Sequence, residues 1–441
     1  MSNVCQMVLT VLRQVEPTVV LEQLGSTIFE IALLMVVKDR SDNSTYPGVS
    51  REDSQQKAMT DFYMIYNLII QLTPILSVLL LARLGDRGWR KAPIVVPLSG
   101  YLLSRIALLL VLIFGLSLKV MFGAAFLFGL SGGFCAYWPG VMTLVSLGST
   151  ATDRSKVIMR VELLYGTAGL VGSLASGHLF LLQNAFLGHG AILLIVSTLL
   201  HLLSLIHSII LLQVKQVHHQ DTSENCHLLS HTSDNAPVAE APIKINWANV
   251  VLLYAAAVLY DAAVGGAIEI LGTFVLKEPL SWSATQVGYG NAAGFVIFLT
   301  SFLGVIVFRC CVSETSLVLI GMLSFASGIY FMSFVTATYM YYLARALNLF
   351  ALIPMPIIRS LLSQQVPASA YGTTLSSLQL ALKFAGLAYI PAFTKIYQRT
   401  LGWFPGFVFM LASIFTVLGM IPISIVGCRL PQRRHPRIQG S

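Results

Sequence analysis

The sequence predicts an all-α polytopic membrane protein with twelve transmembrane helices in two six-helix halves. Of its 441 residues, 56% are hydrophobic and only 10% are charged, whereas a soluble domain usually carries about 25% charged residues. The apolar residues recur in runs of roughly 20, the length that a helix needs to cross a bilayer core of about 30 Å. One long polar interval, residues 215–244, separates six such runs from six more. This interval predicts a tether between two halves.

The first half is predicted over residues 1–214 and begins with a short cytosolic arm. Its helices span about residues 15–37, 58–82, 92–116, 121–147, 157–182 and 191–214. A cytosolic linker is predicted over residues 215–246. The second half, residues 247–427, has helices at about 247–275, 287–308, 316–335, 339–362, 375–393 and 404–426. Residues 428–441 are predicted to form a cytosolic tail. Each run ends where charged or turn-forming residues interrupt the apolar pattern.

The distribution of Lys and Arg places both termini in the cytosol, because positive residues are retained on that side of a membrane. The loop over residues 38–57 is then external, and its Asn43 begins an Asn-Ser-Thr sequon for N-glycosylation. We expect a multi-pass protein of the plasma membrane, with the endolysosomal membrane as the alternative. The linker holds an acidic-dileucine pattern that sorting adaptors read, although a chance match in a disordered linker is the simpler interpretation. Its residues are Glu224, Leu228 and Leu229.

Several function classes are disfavoured. The net charge of +8 is not arranged as a basic stripe interleaved with aromatic residues, so no nucleic acid polymer is expected as a partner. None of the six cysteines has zinc or redox spacing. We find no paired carboxylates on one helical face and no nucleophile elbow, which disfavours an intramembrane enzyme. The sequence therefore predicts no enzyme activity, no metal and no organic cofactor.

The loop over residues 82–91 reads ARLGDRGWRK. It resembles the signature between helices 2 and 3 of the major facilitator superfamily, G-x-x-x-D-R-x-G-R-[RK]. The matching residues are Asp86, Arg87, Arg90 and Lys91. Ala82 and Trp89 stand where the signature usually has glycine. The resemblance implies a charge-paired latch that holds the outward-facing state, and membrane anchoring by positive residues is the alternative.

Other stretches are similar to the solute carrier family that contains the proton-coupled folate transporter. They include residues 15–17 (VEP), 288–290 (GYG), 300–304 (TSFLG) and 358–363 (IRSLLS). Residues 128–147 and 172–180 look most like the thymic stromal cotransporter branch of that family. The similarity covers nearly the whole chain apart from the termini and the linker. It implies the major facilitator fold and the import of anionic organic solutes such as antifolates, muropeptides or cyclic dinucleotides.

The resemblance also implies roles for particular residues. The family's proton-coupling glutamate falls on Glu162 in helix 5, its substrate-linked arginine on Arg359 in helix 10, and its helix 7 acid on Glu269. The helix 7 histidine of the folate transporter aligns with Val264. The disulfide that the resemblance implies is also missing, because the first external loop has no cysteine and Ser281 stands at the second position, before Trp282. These departures argue against a dedicated folate transporter.

Glu162 is also a candidate from physical chemistry alone. Ionisable residues inside spans are costly and usually face a cavity or a partner. Desolvation disfavours the charged form of a carboxyl, so an external acid gradient could load this group with a proton. A structural salt bridge to Arg160 or Lys156 is the alternative.

The second half holds most of the remaining candidates. Asp261 and Lys383 both lie near mid-depth, where they could pair with each other. Unpaired cations in a cavity, including Arg345 and Arg359, would instead favour an anionic substrate. In the first half we interpret the charged residues as structural pairs or snorkelling groups. They are Glu22, Glu30 and Arg105. The span histidines are interpreted as packing residues.

A faint internal repeat supports two related halves, because residues 168–170 and 385–387 both read Ala-Gly-Leu, in helices 5 and 11. Paired halves are common in alternating-access transporters, which bind substrate between them. The sequence therefore predicts a symporter that imports a small anionic organic solute together with protons, and the proton is the coupling ion. A receptor or scaffold that has lost transport is the alternative. The oligomeric state is left open.

Overall fold

The computed structural model describes residues 13–42, 44–148, 154–181, 190–213, 246–308, 312–366 and 371–429, and its regular structure there is helical. The first half contains α1 (Glu16–Ser41), α2 (Arg51–Leu72), α3 (Pro74–Asp86), α4 (Ala92–Ile113), α5 (Val120–Leu130), α6 (Gly133–Leu147), α7 (Arg154–Leu181) and α8 (Ala191–Ile210). The second half contains α9 (Trp247–Leu276), α10 (Ala284–Phe308), α11 (Glu314–Met332), α12 (Thr338–Leu347), α13 (Pro354–Ser363), α14 (Tyr371–Thr400) and α15 (Phe407–Arg429).

Three of the predicted spans are each built from two shorter helices. Pro74 starts α3 directly after Thr73, whose backbone angles are helical, so α2 and α3 form one kinked rod. Gly132 separates α5 from α6 with φ of 94°, a left-handed conformation that suits glycine. Pro354 is the first residue of α13 and follows the break after α12. With these pairs joined, the helices correspond to the twelve predicted spans.

Within the described part of the chain, nine helical runs are long and apolar enough to cross a membrane. They are α1, α2 with α3, α4, α5 with α6, α8, α9, α10, α11 and α15. The other three predicted spans are α7, α12 with α13, and α14. Helices α7 and α14 carry several charged and polar residues, and α12 and α13 have 10 residues each. These three contribute to the contacts between the halves and to the site.

The two halves meet along two main seams, α7 against α10 and α14 against α2. A glycine of the Ala-Gly-Leu repeat lies in each seam. A Cβ on Gly169 of α7 would stand 2.2 Å from the Phe295 ring of α10, and a Cβ on Gly386 of α14 would stand 2.4 Å from Gln71 of α2. The repeated glycine therefore allows close approach of the halves at two equivalent places.

Several helix ends differ from the predicted ones, and polar partners explain the differences. Helix α2 begins at Arg51 rather than near residue 58, because Ser50 accepts a hydrogen bond from the Asp53 N–H and caps it. Helix α14 continues to Thr400, so Lys395 and Arg399 lie on a helix instead of in a loop. Hydropathy placed the start of α2 too late and the end of α14 too early, because these polar helical turns contact the other half rather than lipid.

Candidate functional site

A cavity of about 760 Å³ lies between the two halves. Residues of α1, α2, α4 and α7 line it from one side, and residues of α9, α10, α11 and α12 from the other. Its wall is largely aromatic and apolar, with a small set of ionisable groups. These are Glu22, Glu30, Arg105, Glu269 and Arg345. The size and the lining suit an organic small molecule.

Arg345 of α12 is the cation that the second half presents to this cavity. Its Nε donates to the Tyr341 hydroxyl at 3.0 Å, and its guanidinium carbon lies 5.3 Å from the centroid of the same ring. Among the described residues, no acceptor bonds to its two terminal nitrogens. A guanidinium with free terminal N–H groups can bind a carboxylate, sulfate or phosphate through two parallel hydrogen bonds.

Glu269 of α9 lines the same cavity and connects the halves. The side-chain amide of Asn67 on α2 donates a hydrogen bond to its carboxylate. Because α2 belongs to the first half, this bond must stretch or break whenever the halves separate at this level. Glu269 therefore contacts both the cavity and the opposite half.

The first half contributes a buried polar cluster that the sequence interpretation undervalued. Ser26 Oγ donates to Glu22 Oε1 at 2.8 Å and accepts from Arg105 Nη2 at 3.1 Å. Glu22 is 1% exposed and Arg105 is 4% exposed. Glu22 and Arg105 form no direct salt bridge within the described residues, and the Ser26 hydroxyl joins them instead. Glu30 lies about two turns further along the same helical face and is exposed to the cavity.

The spacing of these residues was a usable signal. Glu22, Ser26 and Glu30 follow each other at intervals of four, which places two carboxylates on one face of a helix, a pair that the sequence analysis missed. Arg105 stands in the middle of an otherwise apolar span. What the sequence could not supply was the direction of that face, toward a cavity rather than toward a membrane interface.

Asp261, Lys383 and Arg359 form a second polar cluster that is not part of the lining of the cavity. Lys383 Nζ donates to Gln71 Oε1 at 2.8 Å, across the seam between α14 and α2. Asp261 interacts electrostatically with Lys383 and Arg359. With the Gln379 amide turned so that its oxygen faces Arg359, that oxygen accepts from Nη2 at 2.7 Å.

Asp261 and Lys383 therefore interact electrostatically, but they do not form a direct ion pair. The ammonium group of Lys383 is bonded instead to the first half. Of the residues predicted to bind substrate, Arg345 and Glu269 line the cavity. Arg359, Asp261 and Lys383 lie in the adjoining cluster.

Glu162 lies on α7 and is half-buried. Its predicted alternative partner, Arg160, forms an ion pair with Glu16 of α1 instead. The side chain of Lys156 lies outside the described residues. Within the described part, Glu162 has no ion pair or hydrogen bond, and it is not part of the cavity lining. A carboxyl without a counter-charge in a partly desolvated place remains a candidate for proton binding.

The signature loop joins α3 to α4. Asp86 is the last residue of α3, and its side chain lies outside the described part. Arg87 is exposed and Arg90 is half-buried. Lys91 Nζ donates to the Ile209 carbonyl of α8 at 3.2 Å, which ties the loop to its own half. Asn43 and the sorting pattern of Glu224, Leu228 and Leu229 also lie outside the described residues.

Charged residues join the halves at the end of the bundle that carries the loop between α1 and α2, here the first-loop end. Lys277 pairs with Asp53, and Lys395 Nζ lies 2.7 Å from Asp61 Oδ1. We call these four residues the first-loop gate. Around it, Gln398 donates to Asp61 at 2.9 Å, and the Glu278 N–H donates to Glu52 at 2.8 Å. The first half supplies the acids of the gate and the second half supplies its lysines.

Known proteins resemble the chain over most of its length. The profile of the Major Facilitator Superfamily matches residues 61–388. Solute carrier family 46 member 2 of Canis lupus familiaris is 40% identical over 444 residues, covering 93% of this chain and 92% of the relative. The lysosomal proton-coupled steroid conjugate and bile acid symporter of Homo sapiens is 26% identical over 401 residues, covering 89% of this chain and 85% of the relative.

Solved structures share the fold at low sequence identity. The crystal structure of a D-xylose-proton symporter matches with a TM-score of 0.67 and 14% identity, over 92% of this chain and 96% of that one. A POT family transporter matches with a TM-score of 0.64 and 11% identity, over 96% of this chain and 99% of that one. These matches confirm the predicted fold class of two six-helix halves.

Proposed function

The chain belongs to the major facilitator superfamily and, within it, to solute carrier family 46, and from this premise we propose that it is a proton-coupled symporter of anionic organic solutes. The related solute carriers and the structurally similar symporter are transporters, which supports a secondary transporter with a small-molecule substrate. The anionic substrate and the coupling to protons are the parts that we infer.

The observation that carries the proposal is the cavity between the halves with Arg345 on its wall. The guanidinium has terminal N–H groups turned to no described acceptor, and the surrounding wall is aromatic and apolar. A bulky solute with one anionic group would pair that group with Arg345 and place its apolar body against the aromatic rings. Steroid conjugates and bile acids, named for the lysosomal relatives, have this chemistry. Antifolates, muropeptides and cyclic dinucleotides, which the family resemblance implies, carry carboxylate or phosphate groups that Arg345 could bind in the same way.

The arrangement of cross-half bonds supports alternating access. The first-loop gate joins the halves at one end of the bundle, whereas the polar contacts named at the other end run within single halves. If the first loop is external, this is an inward-facing arrangement, which would release substrate to the cytosol. Import then requires the gate to open to the outside, where acid would load the carrier with protons.

Glu162 is the proposed coupling residue, by its alignment with the family and because no described residue supplies it with a counter-charge. Uptake of a panel of radiolabelled anions at acid and neutral pH tests coupling directly. Glu162→Gln keeps the shape of the side chain but cannot lose a proton. We expect it to lose net acid-stimulated uptake while it still exchanges substrate across vesicles preloaded with the same anion.

Two results would contradict the proposal. Wild-type net uptake with a normal pH response in Glu162→Gln would remove this residue from coupling. Absence of uptake for every anion in the panel, with normal abundance at the membrane, would favour a receptor or scaffold on a transporter fold.

The proposed location is the plasma membrane, with both termini and the linker in the cytosol, and the endolysosomal membrane is the alternative. Asn43→Gln should abolish a glycosidase-sensitive shift in mobility. A tag in the linker should be reached by antibody only after permeabilisation. A tag that is stained on intact cells would reverse the orientation.

A further inference from the structure

Glu22 is the buried carboxyl that the proposed coupling through Glu162 leaves without a role. It lies on α1, 1% exposed, in the wall of the cavity. Its Oε1 accepts a hydrogen bond from Ser26, whereas its Oε2 is fully buried without a hydrogen-bond partner in the described chain. A buried carboxylate with one hydrogen bond and no direct ion pair is costly, because most of its hydration has been lost without replacement.

The hydroxyl of Ser26 has three neighbours and only one proton. It donates to Glu22 at 2.8 Å and accepts from Arg105 at 3.1 Å, and His201 Nε2 lies 3.4 Å away. His201 Nδ1 lies 2.9 Å from the Ser197 carbonyl, so Nδ1 must carry the imidazole proton to donate to it. Nε2 of a neutral His201 is therefore an acceptor, and Ser26 cannot serve it while it serves Glu22.

Protonation of Glu22 resolves this competition. The carboxyl O–H can donate to Ser26 Oγ, and the serine proton can then turn to His201 Nε2. Ser26 Oγ then accepts hydrogen bonds from Glu22 and Arg105 and donates one to His201, which is the full hydrogen-bonding capacity of a hydroxyl. With the carboxyl neutral, His201 Nε2 also receives a hydrogen bond, so one more polar group is satisfied than with the charged carboxylate. Gly25 permits this arrangement, since a Cβ there would stand 2.4 Å from the His201 ring.

Arg105 is held on the other side of Ser26. Its guanidinium carbon lies 4.0 Å from the centroid of the Phe29 ring and 4.7 Å from that of Tyr101. Its Nε is buried and has no hydrogen-bond partner in the described chain. The group lines the cavity beside Glu22 and Glu30, so the loss of the Glu22 charge leaves the guanidinium facing one carboxylate instead of two.

We propose that Glu22 carries a proton of the transport cycle and that the protonated form, which Ser26 and His201 stabilise by hydrogen bonding, turns the Arg105 wall of the cavity into an anion subsite. This inference rests on the proposed function, which it deepens by naming a second proton-binding residue and a first-half subsite for a carboxylate, sulfate or phosphate. The proton arrives from water in the cavity, stays on the carboxyl while the anion is bound, and returns to water after release.

The surroundings of Glu22 are consistent with this role. Each neighbouring helix contributes groups that are neutral or cationic. The other acid of α1, Glu30, faces the cavity. The facing titratable groups are Arg105 and Tyr101 of α4, His201 of α8, Tyr137 of α6, Tyr165 of α7, Tyr66 of α2 and Glu30 of α1. Among the described residues, Glu22 is the carboxylate bonded to the Ser26 hydroxyl, so the proton has one defined site.

The proposal predicts positive linkage between proton and anion. Neutralisation of Glu22 removes one of the two carboxylates that interact with Arg105, so the anion should bind roughly 5- to 150-fold more tightly at acid pH, the usual range of coupling between two sites. Glu22→Gln mimics the neutral form. It should bind taurocholate, used as the anionic probe, equally well at acid and neutral pH, whereas the wild type binds it more tightly at acid pH.

Infrared difference spectroscopy on the purified full chain in liposomes tests the proton without any substrate. Acidification should produce a carbonyl stretching component of a protonated carboxyl that is missing in Glu22→Gln and present in Glu162→Gln. Glu22→Asp should retain a carboxyl component. Ser26→Ala should shift the frequency of the component, because the carboxyl loses its hydrogen-bond acceptor, which a purely structural role would not predict.

The outcomes separate this inference from the proposed function. A spectrum in which Glu22→Gln retains every acid-induced component, with acid-stimulated uptake intact, overturns the role of Glu22 and leaves the symporter. A wild-type chain that shows the Glu22 component without acid-stimulated uptake of any anion supports the proton on Glu22 and contradicts the symporter.

Discussion

The two ends of the helical bundle hold the halves together in different ways. At the first-loop end, the gate pairs acids of α2 with lysines of the second half. At the opposite end, which carries the signature loop, the named polar contacts stay within one half. Arg160 pairs with Glu16, and Asn249 Nδ2 donates to Gln365 Oε1 at 3.0 Å. Among the contacts of the described residues, one end is therefore fastened across the halves, and the other is fastened within each half.

This difference indicates which bonds must change during transport. Alternating access requires the fastened end to open, so its bonds must be specific without being strong. The two ion pairs of the gate meet this requirement to different degrees. Lys277 and Asp53 have side chains 12% and 19% exposed, whereas those of Lys395 and Asp61 are 51% and 33% exposed. Solvent screens the second pair more, so the first should carry more of the closing free energy.

Covalent closure of the fastened end should have the largest effect. With the native cysteines replaced by serine, Asp61→Cys and Lys395→Cys can be joined by a short bifunctional thiol reagent that reductant cleaves. We expect nearly complete loss of uptake after cross-linking and its return on reduction, because the halves cannot part at that end. Each single-cysteine variant, treated with the same reagent, is the control. Undiminished uptake in the cross-linked protein would show that this end does not open.

The signature loop should matter most for closing the opposite end. Asp86→Ala should reduce uptake about 5- to 30-fold without loss of surface protein, as expected if one charge-paired latch supplies about 1–2 kcal/mol. The matched control is Arg83→Gln, which removes a charge from an exposed position of the same segment outside the signature match. Uptake kinetics measured beside surface biotinylation decide the matter, and normal kinetics in Asp86→Ala would count against the latch.

Sequence alone was enough for the architecture. The bilayer imposes one strong requirement, a run of apolar residues long enough to cross it, and each run can be read locally. The same reading failed at the ends of α2 and α14. Polar turns there contact the other half, and hydropathy cannot distinguish such a contact from exposure to water.

The candidate site was only partly predictable for a related reason. Arg345 and Glu269 could be found because an ionisable residue in a span usually faces a cavity. The same rule also selected Asp261 and Lys383, which lie outside the cavity lining. Whether a buried charge reaches substrate or another side chain depends on residues distant in the sequence, such as Gln71 for Lys383. Such partners are fixed by packing of the halves, which no local pattern encodes.

Lys277→Gln should loosen the fastened end measurably. Removal of one partner from this mostly buried pair should cost about 1–3 kcal/mol, between the values typical of exposed and buried pairs. The equilibrium between the two access states should then shift roughly 5- to 150-fold toward opening at the first-loop end. The readout is labelling of Asn291→Cys, a cavity residue, by a membrane-impermeant thiol reagent added outside. The swap Asp53→Lys with Lys277→Asp should restore slow labelling, and equally slow labelling in Lys277→Gln alone would contradict the role of the pair.

The smallest effect is expected from Lys395→Gln, and its dependence on salt sharpens the comparison. An exposed ion pair is usually worth about 0.2–1 kcal/mol. Asp61 also keeps the hydrogen bond from Gln398 at 2.9 Å, so its carboxylate does not lose every partner. Labelling of Asn291→Cys should therefore rise less than about fivefold.

The Debye length falls from about 8 Å at physiological ionic strength to about 3 Å in 1 M salt. High salt should thus bring the wild type and Lys395→Gln to nearly the same labelling rate, while Lys277→Gln remains faster because its pair is shielded from solvent. If salt left the difference made by Lys395→Gln unchanged and removed the difference made by Lys277→Gln, the ranking of the two pairs would be reversed.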